Sequence, residues 1–174
     1  MQRNRLIIAA LLGTLAATAC AGDSLPPTDE PIVVTAVDYG FEGLPEKVRA
    51  GTTLALQNDS MVEVHELVAI RLPDDETRPV DELVQLPPEQ LASFFPGVAT
   101  VVIAPPGESG FAVEGTGVLS EPGRYAVICV IPTGADPAAY LEAAAEAEGG
   151  PPEVAGGPPH IATVSYTHLR AHET

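Results

Sequence analysis

Residues 123–134 read GRYAVICVIPTG, a strongly apolar run that ends in proline and glycine. Such a run predicts a buried, central β-strand followed by a turn. Other segments rich in β-branched residues surround it, including PIVVTAVDYGF (31–41), EVHELVAIRL (63–72) and VATVVIAPPG (98–107). About seven short strands separated by glycine- and proline-rich turns are typical of a Greek-key β-sandwich, so we expect an all-β fold.

One segment, DPAAYLEAAAEAEG (136–149), has the pattern of a longer helix. Asp136 can cap it, Pro137 suits its first position, and Gly149 can end it, which predicts a helix over residues 138–148. It lies between the last two predicted strands, the second of which is expected to begin in HIATV (160–164). The expected architecture is therefore a sandwich with a short helical insertion before the last strand.

The N-terminus indicates export. Two arginines precede an apolar run that is too short to span a bilayer, and small residues follow up to Ala19. We therefore predict a signal peptide over residues 1–19. A cysteine directly after the cleavage site resembles the lipidation site of bacterial lipoproteins. This resemblance implies that Cys20 is lipidated and anchors the protein to the membrane. The alternative is a secreted protein with an unmodified cysteine, and residues 20–31 predict a flexible tether in either case.

The last residues, VSYTHLRAHET (164–174), match what a common sequencing adapter encodes. We expect this tail to be foreign and exclude it from fold reasoning. The native domain is then predicted to span residues 32–163 and to be truncated at its C-terminus. His168 and His172 carry no functional weight in this interpretation.

Charge and motifs exclude several functions. The chain has 24 acidic and 8 basic residues, a net charge of −16, which repels nucleic acid and anionic lipid. The acidic surface can attract cations or basic proteins, or it can simply keep the protein soluble. The sequence has no serine–histidine–aspartate set, no phosphate-binding loop and no HExxH motif, so we do not expect an enzyme.

Three residues of the predicted domain could together bind a metal. Cys129 is the only cysteine after Cys20, and His65 and His160 are the only histidines before the tail. A thiolate with two imidazoles suits copper. Taken singly, Cys129 could be a small buried hydrophobe and each histidine could be structural. An unpaired thiol is a liability outside the cytoplasm, which favours the metal-binding interpretation.

The order histidine, cysteine, histidine resembles that of the cupredoxins, the family of plastocyanin and azurin. The stretch VDYGFEGLPEKVRAGTTLALQNDSMVEVHELV (37–68) resembles the N-terminal half of that family. The stretch EPGRYAVICVIPTG (121–134) is similar to the family's PGxYxxxC strand.

This resemblance implies a binding site for one copper ion, formed by His65, Cys129 and His160. It also implies that Asn58 helps to fix the loop near the site. The implied function is one-electron transfer or copper transport at the cell envelope, with a redox protein or a copper donor or acceptor as partner.

Two features depart from the family pattern. Thirty residues lie between Cys129 and His160, whereas small family members have only a few. The weak axial methionine expected shortly after His160 is missing, and Met61 is a doubtful substitute. The alternative function is therefore a metal-free cupredoxin-fold module that acts through surface contacts. That alternative would be preferred if the three side chains did not converge.

Overall fold

The computed structural model describes residues 30–147, 150–163 and 166–173. Two mixed sheets dominate it, one with strand order β2-β1-β4-β8 and one with order β3-β10-β9-β5-β6-β7. The strands are β1 (Ile32–Val37), β2 (Gly40–Glu42), β3 (Lys47–Arg49), β4 (Thr52–Asn58), β5 (His65–Arg71), β6 (Val98–Ala104), β7 (Phe111–Glu114), β8 (Val118–Leu119), β9 (Gly123–Ile128) and β10 (Tyr166–His172).

The two sheets pack face to face over one apolar core. Side chains of β4 alternate between buried and partly exposed along the whole strand, as a strand with one face in a core requires. The core residues come from both sheets: Val34, Ala36, Leu54, Leu56, Leu67, Ala69, Val102, Ala104, Tyr125, Val127, Leu169 and Ala171. The prediction of an all-β sandwich is therefore confirmed.

Four strands of the second sheet form a Greek key. Strands β5, β6 and β7 are consecutive antiparallel neighbours, and the chain then visits the other sheet as β8. It returns as β9, which lies antiparallel beside β5, the first strand of the set. The predicted central strand is thus β9, which lies between β5 and β10.

Helices cover the outer face of the second sheet and the end of β9. The short helices α1 (Val80–Leu83) and α2 (Pro88–Leu91) lead into a 3-10 segment, Ala92–Gly97. The predicted longer helix is confirmed as α3 (Pro137–Glu146), where the backbone N–H of Ala139 donates to the side chain of Asp136 at 2.9 Å. Gly149, the expected helix end, lies outside the described residues.

The prediction that HIATV begins the last strand is wrong. His160–Thr163 forms a 3-10 turn, in which the N–H of Ala162 donates to the carbonyl of Pro159 at 2.8 Å. The last strand is β10, which pairs antiparallel with β9 and parallel with β3. Its residues belong to the tail predicted to be foreign, and that origin stays a prediction.

The predicted signal peptide (1–19), Cys20 and the tether up to residue 29 lie outside the described residues. Within the part of the chain that the structure describes, no helix is both long and apolar enough to cross a bilayer.

We expect replacement of Thr100 by valine to destabilise the sandwich. The Thr100 side chain is fully buried, its hydroxyl donates to the carbonyl of Glu114 at 2.8 Å, and it accepts the N–H of Gly117 at 2.9 Å. Valine keeps the shape but leaves that N–H without its partner, which costs about 1–3 kcal/mol. Chemical denaturation measures the change. Thr53→Val, at a partly exposed position of β4, is the control, and equal unfolding free energies for the two variants would contradict the expectation.

Candidate metal centre

Two of the three predicted ligands lie at the same end of the second sheet because β5 and β9 are antiparallel neighbours. His65 is the first residue of β5, and Cys129 directly follows the last residue of β9. Val68 pairs with Ile128 in the register of these strands. Cys129 therefore lies one residue beyond the Val68–Ile128 pair, next to the first residues of β5.

The third ligand returns to this end through a short paired segment, which we call the base ladder: residues 129–133 and 157–161. Pro132 and Pro159 form an antiparallel bridge within it. The hydrogen bonds run from Thr133 N–H to Pro158 O (3.0 Å), Gly157 N–H to Thr133 O (2.8 Å), His160 N–H to Ile131 O (2.9 Å) and Ile161 N–H to Cys129 O (2.7 Å). The two ends of the insertion, which we define as residues 134–156, are therefore held side by side, and this brings His160 beside Cys129.

The side chains of His65, Cys129 and His160 converge. The Cys129 Sγ lies 3.3 Å from His160 Nδ1 and 4.0 Å from His65 Nδ1. One potential ligand atom from each residue lies within 4.8 Å of the other two, and the two ring centroids are 4.7 Å apart. The condition that would favour the metal-free module, divergent side chains, is not met.

The spacing of these atoms fits a single ion. Metal–nitrogen bonds of about 2.0–2.1 Å and a metal–sulfur bond of about 2.3 Å, at trigonal or tetrahedral angles, separate sulfur from nitrogen by about 3.6–3.8 Å. The two observed distances, 3.3 and 4.0 Å, lie on either side of that range. In both rings it is Nδ1 that approaches the sulfur, so the donor set suits a transition metal that accepts thiolate and imidazole.

Burial controls the protonation of the three groups. Burial first, and then the neighbouring His160 ring, lower the pKa of His65 to about 4, against an opposing effect of Asp38. Burial also lowers the pKa of His160, against the opposing effect of Glu63. The pKa of the Cys129 thiol is raised, chiefly by burial and then by the charge of Glu66. The imidazoles are therefore neutral donors at ordinary pH, and metal binding would displace the thiol proton.

Asn58 fixes the loop that leads into His65. The Asn58 side-chain amide donates to the carbonyls of Glu63 (2.8 Å) and Ala104 (3.0 Å), and its Oδ1 accepts the N–H of Ser60 (2.9 Å). Ala104 is the residue paired with His65 across β5 and β6. The role that the resemblance implied for Asn58 agrees with these contacts.

A carboxylate that the sequence analysis missed lies beside His160. Glu63 accepts the N–H of Gly134 at 3.1 and 3.2 Å, and its Oε2 lies 3.6 Å from His160 Nε2, an ion-pair distance slightly longer than a hydrogen bond. Carboxylates next to the second nitrogen of a ligand histidine orient the ring and raise its basicity. In the sequence, only the position of Glu63 two residues before His65 indicated that this carboxylate could lie near the site.

A second missed carboxylate, Glu66, lies against the cysteine. Its N–H donates to Cys129 Sγ at 3.5 Å, and its Oε1 accepts the N–H of Val130 at 3.0 Å. The hydroxyl of Tyr140 on α3 donates to its Oε2 at 3.0 Å. Glu66 is only 3% exposed, and burial raises its pKa to about 7. The sequence pattern gave no signal for this residue because its side-chain partners, Tyr140 and Val130, lie more than 60 residues away.

Met61 does not join the cluster. It is 78% exposed, whereas the three candidate ligands are each at most 1% exposed. This exposed position agrees with the expectation that Met61 is a poor substitute for the axial ligand. A fourth ligand stays unassigned among the described residues.

We expect Gly156→Ala to disrupt the base ladder and Gly157→Ala to leave it intact. A Cβ at Gly156 would lie 2.5 Å from the Cβ of Pro132, a separation that requires the backbone to move, whereas at Gly157 the nearest atom is 3.4 Å away. His160 would then shift from Cys129 only in the first variant. A crystal structure or the His160 ring resonances would reveal the difference, and indistinguishable variants would contradict the assignment of the ladder.

Comparisons with known proteins give structural likenesses only. A scan against protein-family models finds no match, and a search of curated proteins finds none either. Among solved structures, a reduced auracyanin from the photosynthetic bacterium Roseiflexus castenholzii is 16% identical, with a TM-score of 0.43, over 82% of this chain and 96% of that chain. Auracyanin B is 18% identical with a TM-score of 0.45, over 84% of this chain and 91% of that chain. Auracyanin A, described as a "blue" copper protein from Chloroflexus aurantiacus, is 14% identical with a TM-score of 0.43, over 82% and 98% of the two chains.

Proposed function

We propose that this protein is an exported one-electron carrier of the cupredoxin type, which binds one copper ion through His65, Cys129 and His160. The observation that carries the proposal is the buried approach of the Cys129 sulfur to the Nδ1 atoms of both histidines, at 3.3 and 4.0 Å. A thiolate with two imidazoles favours copper among the first-row metals when the site is trigonal.

The surrounding structure suits electron transfer. A bound copper ion would supply one-electron chemistry by alternating between Cu(I) and Cu(II). The chain's own contribution is to hold the donors in place: β5 holds His65, while β9 and the base ladder hold Cys129 and His160. Donors that are fixed before the ion changes its charge need little rearrangement, and their burial excludes water from the site.

Burial of the ligands favours electron transfer over copper transport. A copper carrier passes its ion on when an acceptor's ligands replace its own, which requires access to the metal. Here His65 and Cys129 are fully buried and His160 is 1% exposed. A site enclosed in this way retains its ion, so the electron carrier is the better proposal.

The proposed location follows from the N-terminal sequence. Cleavage after residue 19 would release the mature protein outside the cytoplasmic membrane, anchored by lipid if Cys20 is modified and otherwise secreted. The tether (20–31) would hold the domain away from a membrane surface. The partner would be a redox protein, and the net charge of −16 favours one with a basic face.

We expect the full chain to turn blue on addition of one equivalent of Cu(II), with intense thiolate-to-copper absorption at about 600 nm. Cys129→Ser should abolish that band, because serine cannot supply the sulfur. His168→Gln is the matched control, since His168 is exposed in the tail and could bind Cu(II) without a thiolate. It should leave the band unchanged. A colourless copper complex of the wild-type chain would refute the proposed function.

Glu63→Gln should raise the reduction potential of the copper-loaded protein. The Glu63 carboxylate lies 3.6 Å from His160 Nε2, and its negative charge stabilises the more positive oxidation state of a nearby ion. Glutamine keeps an oxygen for the N–H of Gly134 but removes the charge. Voltammetry measures the potential, with Glu89→Gln on the exposed face of α2 as the control. A potential that falls, or does not move, would contradict this role of Glu63.

A further inference from the structure

We propose that Tyr140, on the insertion helix α3, is a positioning residue for the copper site. Its hydroxyl would fix the carboxylate of Glu66, and that carboxylate would hold the backbone on which Cys129 lies. The inference rests on the proposed copper function and adds to it a role for the insertion, namely that α3 forms part of the frame of the site.

A continuous series of contacts connects Tyr140 to the sulfur. The Tyr140 hydroxyl donates to Glu66 Oε2 at 3.0 Å, and the other carboxylate oxygen accepts the N–H of Val130 at 3.0 Å. The N–H of Glu66 itself donates to Cys129 Sγ at 3.5 Å. Glu66 therefore contacts the Cys129 segment twice, through its backbone at the sulfur and through its side chain at the next residue.

Because the residues in this series are buried, the loss of one of their hydrogen bonds would affect the others. Tyr140 and Cys129 are fully buried and Glu66 is 3% exposed, so water cannot readily replace a lost hydrogen bond. Without the phenol hydroxyl, Oε2 of Glu66 would lose its partner in an apolar environment. The carboxylate would then reorient towards another donor and weaken its hold on the N–H of Val130.

Packing alone does not account for the hydroxyl of Tyr140. The ring lies in an apolar cluster around the cysteine, and phenylalanine would fill that space equally well. The buried members of the cluster are Val64, Ile103, Cys129, Ile131, Ala135 and Tyr140. The hydroxyl instead makes a hydrogen bond to Glu66 and, through that carboxylate, is connected to the N–H of Val130.

The test compares Tyr140→Phe with Tyr125→Phe in the full chain. Tyr125 is a matched control because it is 1% exposed and its hydroxyl also donates to an oxygen, the carbonyl of Glu121, at 2.7 Å. Both variants lose one buried hydroxyl, so both should lose some stability. Only Tyr140→Phe should shift the charge-transfer band and the reduction potential of the copper-loaded protein.

A copper-free measurement accompanies these spectra. Hydrogen exchange of the Val130 amide in the metal-free chain should accelerate about tenfold more in Tyr140→Phe than in Tyr125→Phe, because the acceptor of that N–H becomes mobile. If both variants keep the band, the potential and the Val130 exchange rate, Tyr140 is only a packing residue and the proposal is overturned.

The design separates this inference from the proposed function. A wild-type chain that binds Cu(II) without the band refutes the copper function, and the proposal falls with it. An unaltered band, reduction potential and Val130 exchange rate in Tyr140→Phe refute only the role of Tyr140. If Tyr140→Phe does not fold, Glu66→Gln serves instead, since an amide cannot offer acceptor oxygens to both Val130 and Tyr140. That variant should shift the same band and the same exchange rate, and unchanged values would overturn the proposal.

Discussion

The hydrogen-bonded pairing of residues 129–133 with residues 157–161 is the constraint on which the candidate site depends. By chain-closure entropy, lengthening a loop from about 5 to about 30 residues costs about 1.6 kcal/mol. A net gain of about 0.5–1.5 kcal/mol for each hydrogen bond of the base ladder is enough to offset that cost. The distance in sequence between Cys129 and His160 is therefore compatible with a compact site, because the base ladder holds the two ends of the intervening segment side by side.

Three polar side chains connect the segments that carry the candidate metal ligands to one another through hydrogen bonds. Asn58 binds the loop before His65 to β6, Glu63 joins that same loop to the start of the insertion, and Glu66 joins β5 to the segment after Cys129. Satisfied polar networks in a low-dielectric interior specify one arrangement strongly, since any alternative leaves a buried group without a partner. This rigidity is what a site for rapid one-electron transfer would need.

The sequence predicted the features that depend on local pattern. Alternating apolar residues indicated the strands, Asp136 and Pro137 indicated the start of α3, and the order of His65, Cys129 and His160 indicated the cluster. Non-local contacts explain the errors. The β-branched residues after His160 favour a strand, but the N–H of Ile161 donates to the carbonyl of Cys129 and the chain turns instead. The contacts of Glu63 and Glu66 could not be predicted because the backbone N–H groups that their carboxylates accept lie more than 60 residues away.

The C-terminal tail (164–174) shows a further limit of what its sequence predicts. Its origin was inferred from its letters alone, whereas its alternating pattern, with Leu169 and Ala171 buried in the core, fits the strand position beside β9. Since a strand at this position covers one edge of β9, it also shields the backbone that leads to Cys129. If the tail is foreign, a native strand in its place would do the same. The physical role of β10, which is to cover that edge of β9, therefore does not depend on where its residues came from.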